Sequence, residues 1–199
     1  MTIKGDTGGG GRRLDDTIVS AFTDACAQAM QVLAHDPRVM FLGQNVCYPG
    51  HVVYDSMQGI PDNCKIELPV AEAMQMGIST GLALAGFVPV TIYPRIDFLL
   101  LAIDQLVNHL DKLEKMSQGQ FKPKVIIRTM LGATYPLDPG PQHSGDYIEA
   151  FEAMLTNVAV ITTCWPYDVV SAYKVALQRH QSTIVIEIDR GKRLEYRQD

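Results

Sequence analysis

The 199-residue sequence has no apolar run near the roughly 18 residues that a membrane-spanning helix needs. Its four cysteines, Cys26, Cys47, Cys64 and Cys164, show none of the short spacings of zinc or redox motifs. They read as reduced, mostly buried thiols of a cytoplasmic protein. Positive charge is scarce as well: 17 Lys and Arg face 22 Asp and Glu, a net charge of −5. That sign argues against a nucleic-acid groove or an anionic membrane surface as the main partner. No Gly-x-Gly-x-x-Gly sits on a strand-to-helix turn, no Walker loop exists, and no His, Asp or Glu pair has metal-ligand spacing. Met1 to Arg13 is rich in Gly and charge with no apolar segment, so it is no secretory signal and predicts a disordered arm. What is present is an ordinary globular composition, 47% apolar and 20% charged, enough for one domain over residues 14–199.

The apolar pattern alternates between helical periodicity and short apolar runs. Helices are predicted over Leu14 to Ala34, Val70 to Ala85, Asp97 to Met116, Tyr147 to Met154 and Tyr167 to His180. Strands are predicted at Val39 to Leu42, Lys65 to Leu68, Val88 to Tyr93, Lys124 to Arg128, Val158 to Thr162 and Ile184 to Ile188. Asn45 to Asn63 and Gly132 to Gly145 read as loops, the first with room for one helical turn. Strands of four to six residues between helices predict an α/β fold with a mostly parallel sheet covered on both faces. Ligands in such folds sit beyond the carboxyl ends of the strands. The loops of interest therefore follow Leu42, Leu68, Tyr93 and Arg128.

Each notable residue in those loops has a plain reading and a chemical one. Glu72, in a first helical turn, either favours the helix dipole or is a desolvated carboxylate suited to proton transfer. His143, in a Gly- and Pro-rich loop, is either a surface histidine or an acid/base. Phe98 and Tyr93 are core aromatics or ring platforms. Arg95 is a solvated loop residue or a holder of an anionic substrate group. Gly77-Ile78-Ser79-Thr80-Gly81 has the spacing of a hydrolase nucleophile elbow, but helix-compatible residues precede it where a strand is required.

Taken in order, several segments resemble one family. Leu68-Pro69-Val70-Ala71-Glu72, Gly81 to Gly86 and Pro89 resemble the pyrimidine-binding module of thiamine-diphosphate enzymes. The likeness is nearest to the beta subunit of 2-oxo acid dehydrogenase first components. It continues through Ala102 to Asn108, Ser117 to Gln120, Ile127-Arg128-Thr129, Gln142-His143-Ser144, Pro166-Tyr167-Asp168 and Lys192 to Tyr196. The resemblance implies the Rossmann-like three-layer fold of that superfamily, with thiamine diphosphate as cofactor. Glu72 would hydrogen-bond N1′ of the aminopyrimidine. A proton held there favours the imino form at the 4′ nitrogen, which can then take the C2 proton. Phe98 would stack on the pyrimidine, and His143 would act beside the substrate, with Gln142 and Ser144 flanking it.

Departures from the family qualify those expectations. Gln44-Asn45 stands where relatives carry an acidic pair, which speaks against a carboxylate proton relay while leaving Gln44 on the cofactor side. Arg95 replaces an aromatic or smaller residue and is expected to contact an anionic substrate group. The Gly-Asp-Gly and Asn pattern for Mg²⁺ and diphosphate is absent, and the sequence stops at Asp199, where relatives continue into a second domain. The expectation is one subunit of a split enzyme, with a truncated piece as the other option. A separate alpha-type, diphosphate-binding subunit would hold Mg²⁺ and complete an α2β2 heterotetramer. The helix from Val70 and the loop near His143 would face partner chains, and an acyl-carrier or lipoyl protein would be an acceptor. Acyl transfer from a 2-oxo acid, transketolase-like ketol transfer and a non-catalytic scaffold all stay open.

Overall fold

The computed structural model describes residues 11–132 and 139–188, with side chains from residue 20 onward. Six strands form one sheet: β1 (Val39–Gly43), β2 (Lys65–Glu67), β3 (Val88–Tyr93), β4 (Ile126–Leu131), β5 (Ala159–Thr163) and β6 (Thr183–Ile188). Their order is β2-β1-β3-β4-β6-β5 and every pairing is parallel, so the sheet is wholly rather than mostly parallel. Parallel strands need crossovers, and the helices that supply them cover both faces. The helices are α1 (Gly11–Ala34), α2 (Val52–Asp55), α3 (Glu72–Leu84), α4 (Ile96–Leu99), α5 (Leu113–Met116), α6 (Ile148–Met154) and α7 (Pro166–Gln178).

Side-chain alternation along the strands divides the core. Val39, Phe41, Val88, Val90, Ile92, Ile126 and Val185 pack beneath α1, α7 and the segment around Val53 and Met57. Ile127, Leu131, Ile184, Ile186 and Ile188 face α3, the stretch from Ile96 to Leu110, and α6. β3 and β6 are buried along their whole length and β4 at every residue but Met130, as a doubly covered parallel sheet requires.

Several boundaries differ from the sequence reading. α1 begins at Gly11, so Gly11, Arg12 and Arg13 are helical rather than part of an arm, Arg being a good helix former. Residues 1–10 and the resemblance at Lys192 to Tyr196 lie outside the described residues. β4 starts two residues later than expected and runs on to Leu131. Val125 donates its N–H to the Ser182 hydroxyl, which places it just before the ladder. Only Cys26 of the four thiols is buried; Cys47 and Cys164 lie on loops and Cys64 ends a 3₁₀ turn, and all three are half-buried.

The single helix expected over Asp97 to Met116 is instead a succession of α4, a 3₁₀ turn (Leu100–Ala102), a π-helical stretch (Asp104–Leu110) and α5. The wider turn ends with the Asp111 N–H bonded to Leu106 O. It leaves Asp111 buried, accepting from the backbone N–H groups of Thr156, Asn157 and Val158 and from the Thr156 hydroxyl. Burial alone would raise the Asp111 carboxyl, but those donors outweigh it and hold it below its ordinary value. A depressed carboxylate adds stability above the unfolded value of about 3.9 and loses it as pH falls through the folded value. Thermal melts of wild type should therefore fall between pH 5 and 3. Asp111→Asn should be less stable at neutral pH and show a flatter pH dependence.

The second buried charge sits inside the sheet. The Arg128 guanidinium donates from Nε and Nη2 to the two oxygens of Glu187, at 2.8 and 3.1 Å. Nη1 donates to Ser56 Oγ at 2.6 Å, and Tyr173 donates its hydroxyl to Glu187 at 2.6 Å. Burial, reinforced by the Glu187 charge, pushes the nearby Cys26 thiol and the Tyr173 phenol upward, so both stay neutral donors. Breaking such a pair from one side costs about 3–5 kcal/mol, whereas replacing both partners with apolar residues can be nearly neutral. Urea denaturation should show Arg128→Met losing several kcal/mol, with most of the loss recovered when Glu187→Leu is added.

Candidate functional site

All six strands deliver their carboxyl ends to one pole, so the loops after β1, β2, β3 and β4 share it. β1 ends on Gly43, in register with Glu67 and Ile92. A Cβ at Gly43 would come within 2.5 Å of Ile92 O and 3.4 Å of Gln75 Nε2, so this close approach requires glycine. Gln75 donates to Thr91 Oγ1 and Ile92 O, both at 2.9 Å, which locks α3 onto β3. Ser79, the hydroxyl of the elbow-like pentapeptide, is buried within α3 and donates to Gln75 O, so it is no nucleophile.

Glu72 opens α3 and is 8% exposed. Its backbone carbonyl accepts from the Tyr93 hydroxyl at 3.2 Å, tying the start of α3 to the end of β3. Burial, and then the Glu72 charge, push the Tyr93 phenol above its ordinary value, so that bond is made by a neutral hydroxyl. Among the described residues no donor reaches the Glu72 carboxylate, which leaves it available to a ligand.

Phe98, one turn beyond β3, meets the His143 ring edge to face, with centroids 5.2 Å apart and planes at 85°. Arg95 Nη1 donates to His143 O at 2.9 Å, and Asp97 Oδ1 accepts from the Gly145 N–H at 3.0 Å. The structure therefore brings Arg95, Phe98 and His143 together across 45 or more positions of sequence. Gln44 is half-buried at the end of β1 and Gln142 is exposed; among the described residues neither side chain is bonded to that group.

Three contributors were not singled out from sequence. Glu67, at the end of β2, accepts the N–H groups of Asn45, Val46 and Cys47 at 2.7 to 2.9 Å. It shapes the loop that carries Gln44, whose next residue, Asn45, has φ of 59°. An acid ending a strand just before Leu-Pro was the available signal. His51 caps α2 by accepting from Val53 N–H at Nδ1, so its proton sits on Nε2. Burial, and then the positive charge of Arg95, push His51 below its ordinary value, with Asp55 opposing. Asp97 is the third; nothing in the pattern separated it from an ordinary first-turn acid. Among the described residues no group of three His, Cys, Asp or Glu could hold a metal ion.

Comparison with known proteins places this geometry. Residues 19–192 match the transketolase pyrimidine-binding domain. The chain belongs to that family. It is 28% identical over 170 residues to the pyruvate dehydrogenase E1 component subunit beta of Gracilaria tenuistipitata var. liui, covering 84% of this chain and 51% of that one. It is 31% identical over 161 residues to the 3-methyl-2-oxobutanoate dehydrogenase subunit beta of Mycobacterium tuberculosis, covering 76% of this chain and 43% of that one. The chain thus spans about half the length of these curated relatives. Among solved structures, a transketolase from Campylobacter jejuni superposes with a TM-score of 0.67 at 16% identity, over 83% of this chain and 25% of that one. A split-gene transketolase, solved as an inactive beta4 tetramer, gives 0.62 at 16% identity, over 86% and 50%. At that identity the likeness establishes the shared three-layer α/β fold.

The Glu67 carboxylate is the structural key to the β1 loop. Glu67→Ala would leave three backbone N–H groups without their acceptor, at about 1 kcal/mol or more each where they stay dry. Hydrogen exchange should show the amides of Asn45, Val46 and Cys47 at least tenfold faster in that variant, with β4 and β6 unchanged.

Proposed function

We propose that this chain is the pyrimidine-binding part of a thiamine-diphosphate enzyme of the 2-oxo acid dehydrogenase type. The observation that carries the reading is the joint placement of Glu72, whose carboxylate meets no donor among the described residues, and an edge-to-face Phe98–His143 pair at one pole of a pyrimidine-binding domain. These residues fit an aminopyrimidine: a carboxylate for a ring nitrogen, an aromatic face for the ring, and an imidazole beside it. The cofactor, when bound, supplies carbanion chemistry next to a carbonyl; the protein supplies orientation and proton control.

Within that scheme Glu72 holds a proton at the pyrimidine N1′ edge. Phe98 would provide a flat surface, and Gln44, at the start of the β1 loop, would contact the cofactor. His143 moves a proton at the substrate carbonyl, with Gln142 alongside. Among the described residues Arg95 uses one of its five N–H donors, on His143 O, and the others could hold an anionic group of the substrate.

A separate alpha-type subunit would hold Mg²⁺ and the diphosphate, in an α2β2 assembly. The names of the relatives support this, since they are beta subunits. So does an apolar row on the outer side of α3: Val70, Met74 and Ile78 are 76%, 44% and 36% exposed, beside Leu101 at 64%. Such a row is more apolar than solvent favours and suits a partner helix. An acyl carrier such as a lipoyl protein would accept the product.

Calorimetry with thiamine diphosphate and Mg²⁺ tests the reading, on this chain alone and with its co-expressed partner. Saturable binding should appear only in the complex. Glu72→Gln should leave assembly intact and lower turnover of a 2-oxo acid at least 100-fold. Full turnover by that variant would sink the assignment.

A further inference from the structure

We infer that Arg95 and Asp97 form a two-point clamp that sets the His143 ring against Phe98, so that Asp97 is a positioning residue for His143. The inference rests on the proposed function for its catalytic meaning but not for its geometry. Within five residues after β3, the chain grips segment 143–145 three times. Arg95 Nη1 takes the His143 carbonyl at 2.9 Å, Asp97 Oδ1 takes the Gly145 N–H at 3.0 Å, and the Phe98 ring meets the imidazole at 5.2 Å. One bond uses a carbonyl and the other an N–H, two residues apart. Together they fix the position and rotation of the backbone that carries the ring. A single hydrogen bond would leave it free to pivot.

The surroundings are built to that grip. A Cβ on Gly132, just past β4, would collide with Arg95 Nη1, so glycine there lets the guanidinium reach His143 without shifting. A Cβ on Gly145 would lie 2.4 Å from the Tyr147 ring, so the other anchor is also closely packed. Asp97 is 9% exposed, and its second oxygen, Oδ2, is buried without a partner among the described residues. A buried unpaired oxygen is unfavourable. An apolar residue would suit that space better if stability alone decided. Asp97 is explained by what Oδ1 does for the His143 segment.

The clamp also accounts for the placement of the site residues on two loops. His143 lies on a loop with many Gly and Pro, where a free imidazole would sample many directions. Proton transfer needs a donor–acceptor pair held near hydrogen-bond distance. The clamp transfers the rigidity of β3 to the His143 loop, as supporting residues do around functional groups.

The test reads the His143 ring by NMR in the full chain without cofactor, which keeps it independent of the proposed function. Phe98 should shift the His143 Cε1–H signal away from those of the other four histidines. Phe98→Leu should abolish the shift. Asp97→Ala should remove at least half of it and speed Gly145 amide exchange tenfold or more. Asp97→Asn should retain both, because its amide oxygen can still accept from Gly145. Gly132→Ala displaces Arg95 while sparing Asp97, and it should also reduce the shift; it serves if Asp97→Ala fails to fold. In the assembled enzyme Asp97→Ala should lower kcat about tenfold with KM little changed. A folded Asp97→Ala or Gly132→Ala variant with an unaltered His143 signal overturns the clamp. An intact signal change in a protein that never binds thiamine diphosphate would overturn the proposed function and leave the clamp standing.

Discussion

Everything at the carboxyl pole depends on the strands running the same way. A parallel sheet cannot be joined by hairpins, so each strand must be followed by a crossover. Four of the resulting loops open at one end, where β1, β3 and β4 lie side by side. This brings residues 95 and 143 into contact although 48 positions separate them. No local feature of either loop encodes that meeting. It follows from β3 and β4 being neighbours, with Tyr93 paired to Thr129 near their ends.

Two of the buried acids, Glu187 in the core and Asp97 at the site, illustrate different solutions to the same cost. Glu187 is saturated: two guanidinium bonds and a tyrosine hydroxyl satisfy it, and the arrangement reaches Ser56, which in turn donates to Val53 O. That network fixes the segment leading to His51 from beneath. Asp97 is only half satisfied. A fully paired buried charge is compatible with a structural role alone. A half-paired one points to a demand that packing does not explain, and in this fold that demand lies on the His143 loop.

The alternation of helix and strand was legible because each apolar run is short and each helix carries a stripe. The placement of Glu72, Phe98 and His143 on strand-end loops followed from it. Internal helix geometry was not legible. The π-helical stretch over Asp104–Leu110 has the same apolar spacing as an α-helix, and only the distant N–H groups of residues 156–158 determine where Asp111 must sit. The start of β4 was misplaced for a similar reason, since the hydroxyl of Ser182, remote in sequence, takes the Val125 N–H. The partner that Arg95 does meet, the His143 carbonyl, was not legible because it lies beyond any sequence window.

Fold and family do not choose a substrate, because the same domain serves enzymes that act on different compounds. Here the selective elements are the departures from the family pattern. Gln44 and Asn45 put neutral amides beside a loop that Glu67 already supplies with a carboxylate, fully engaged by three N–H groups. A carboxylate so occupied is a poor proton carrier. In the proposed scheme, proton transfer on this side would fall to groups not already held in such a network, Glu72 and His143 first among them. Arg95 and His51 add positive charge and a neutral donor to the rim. The positive charge of Arg95 makes this rim better suited to an anionic ligand than to a neutral one.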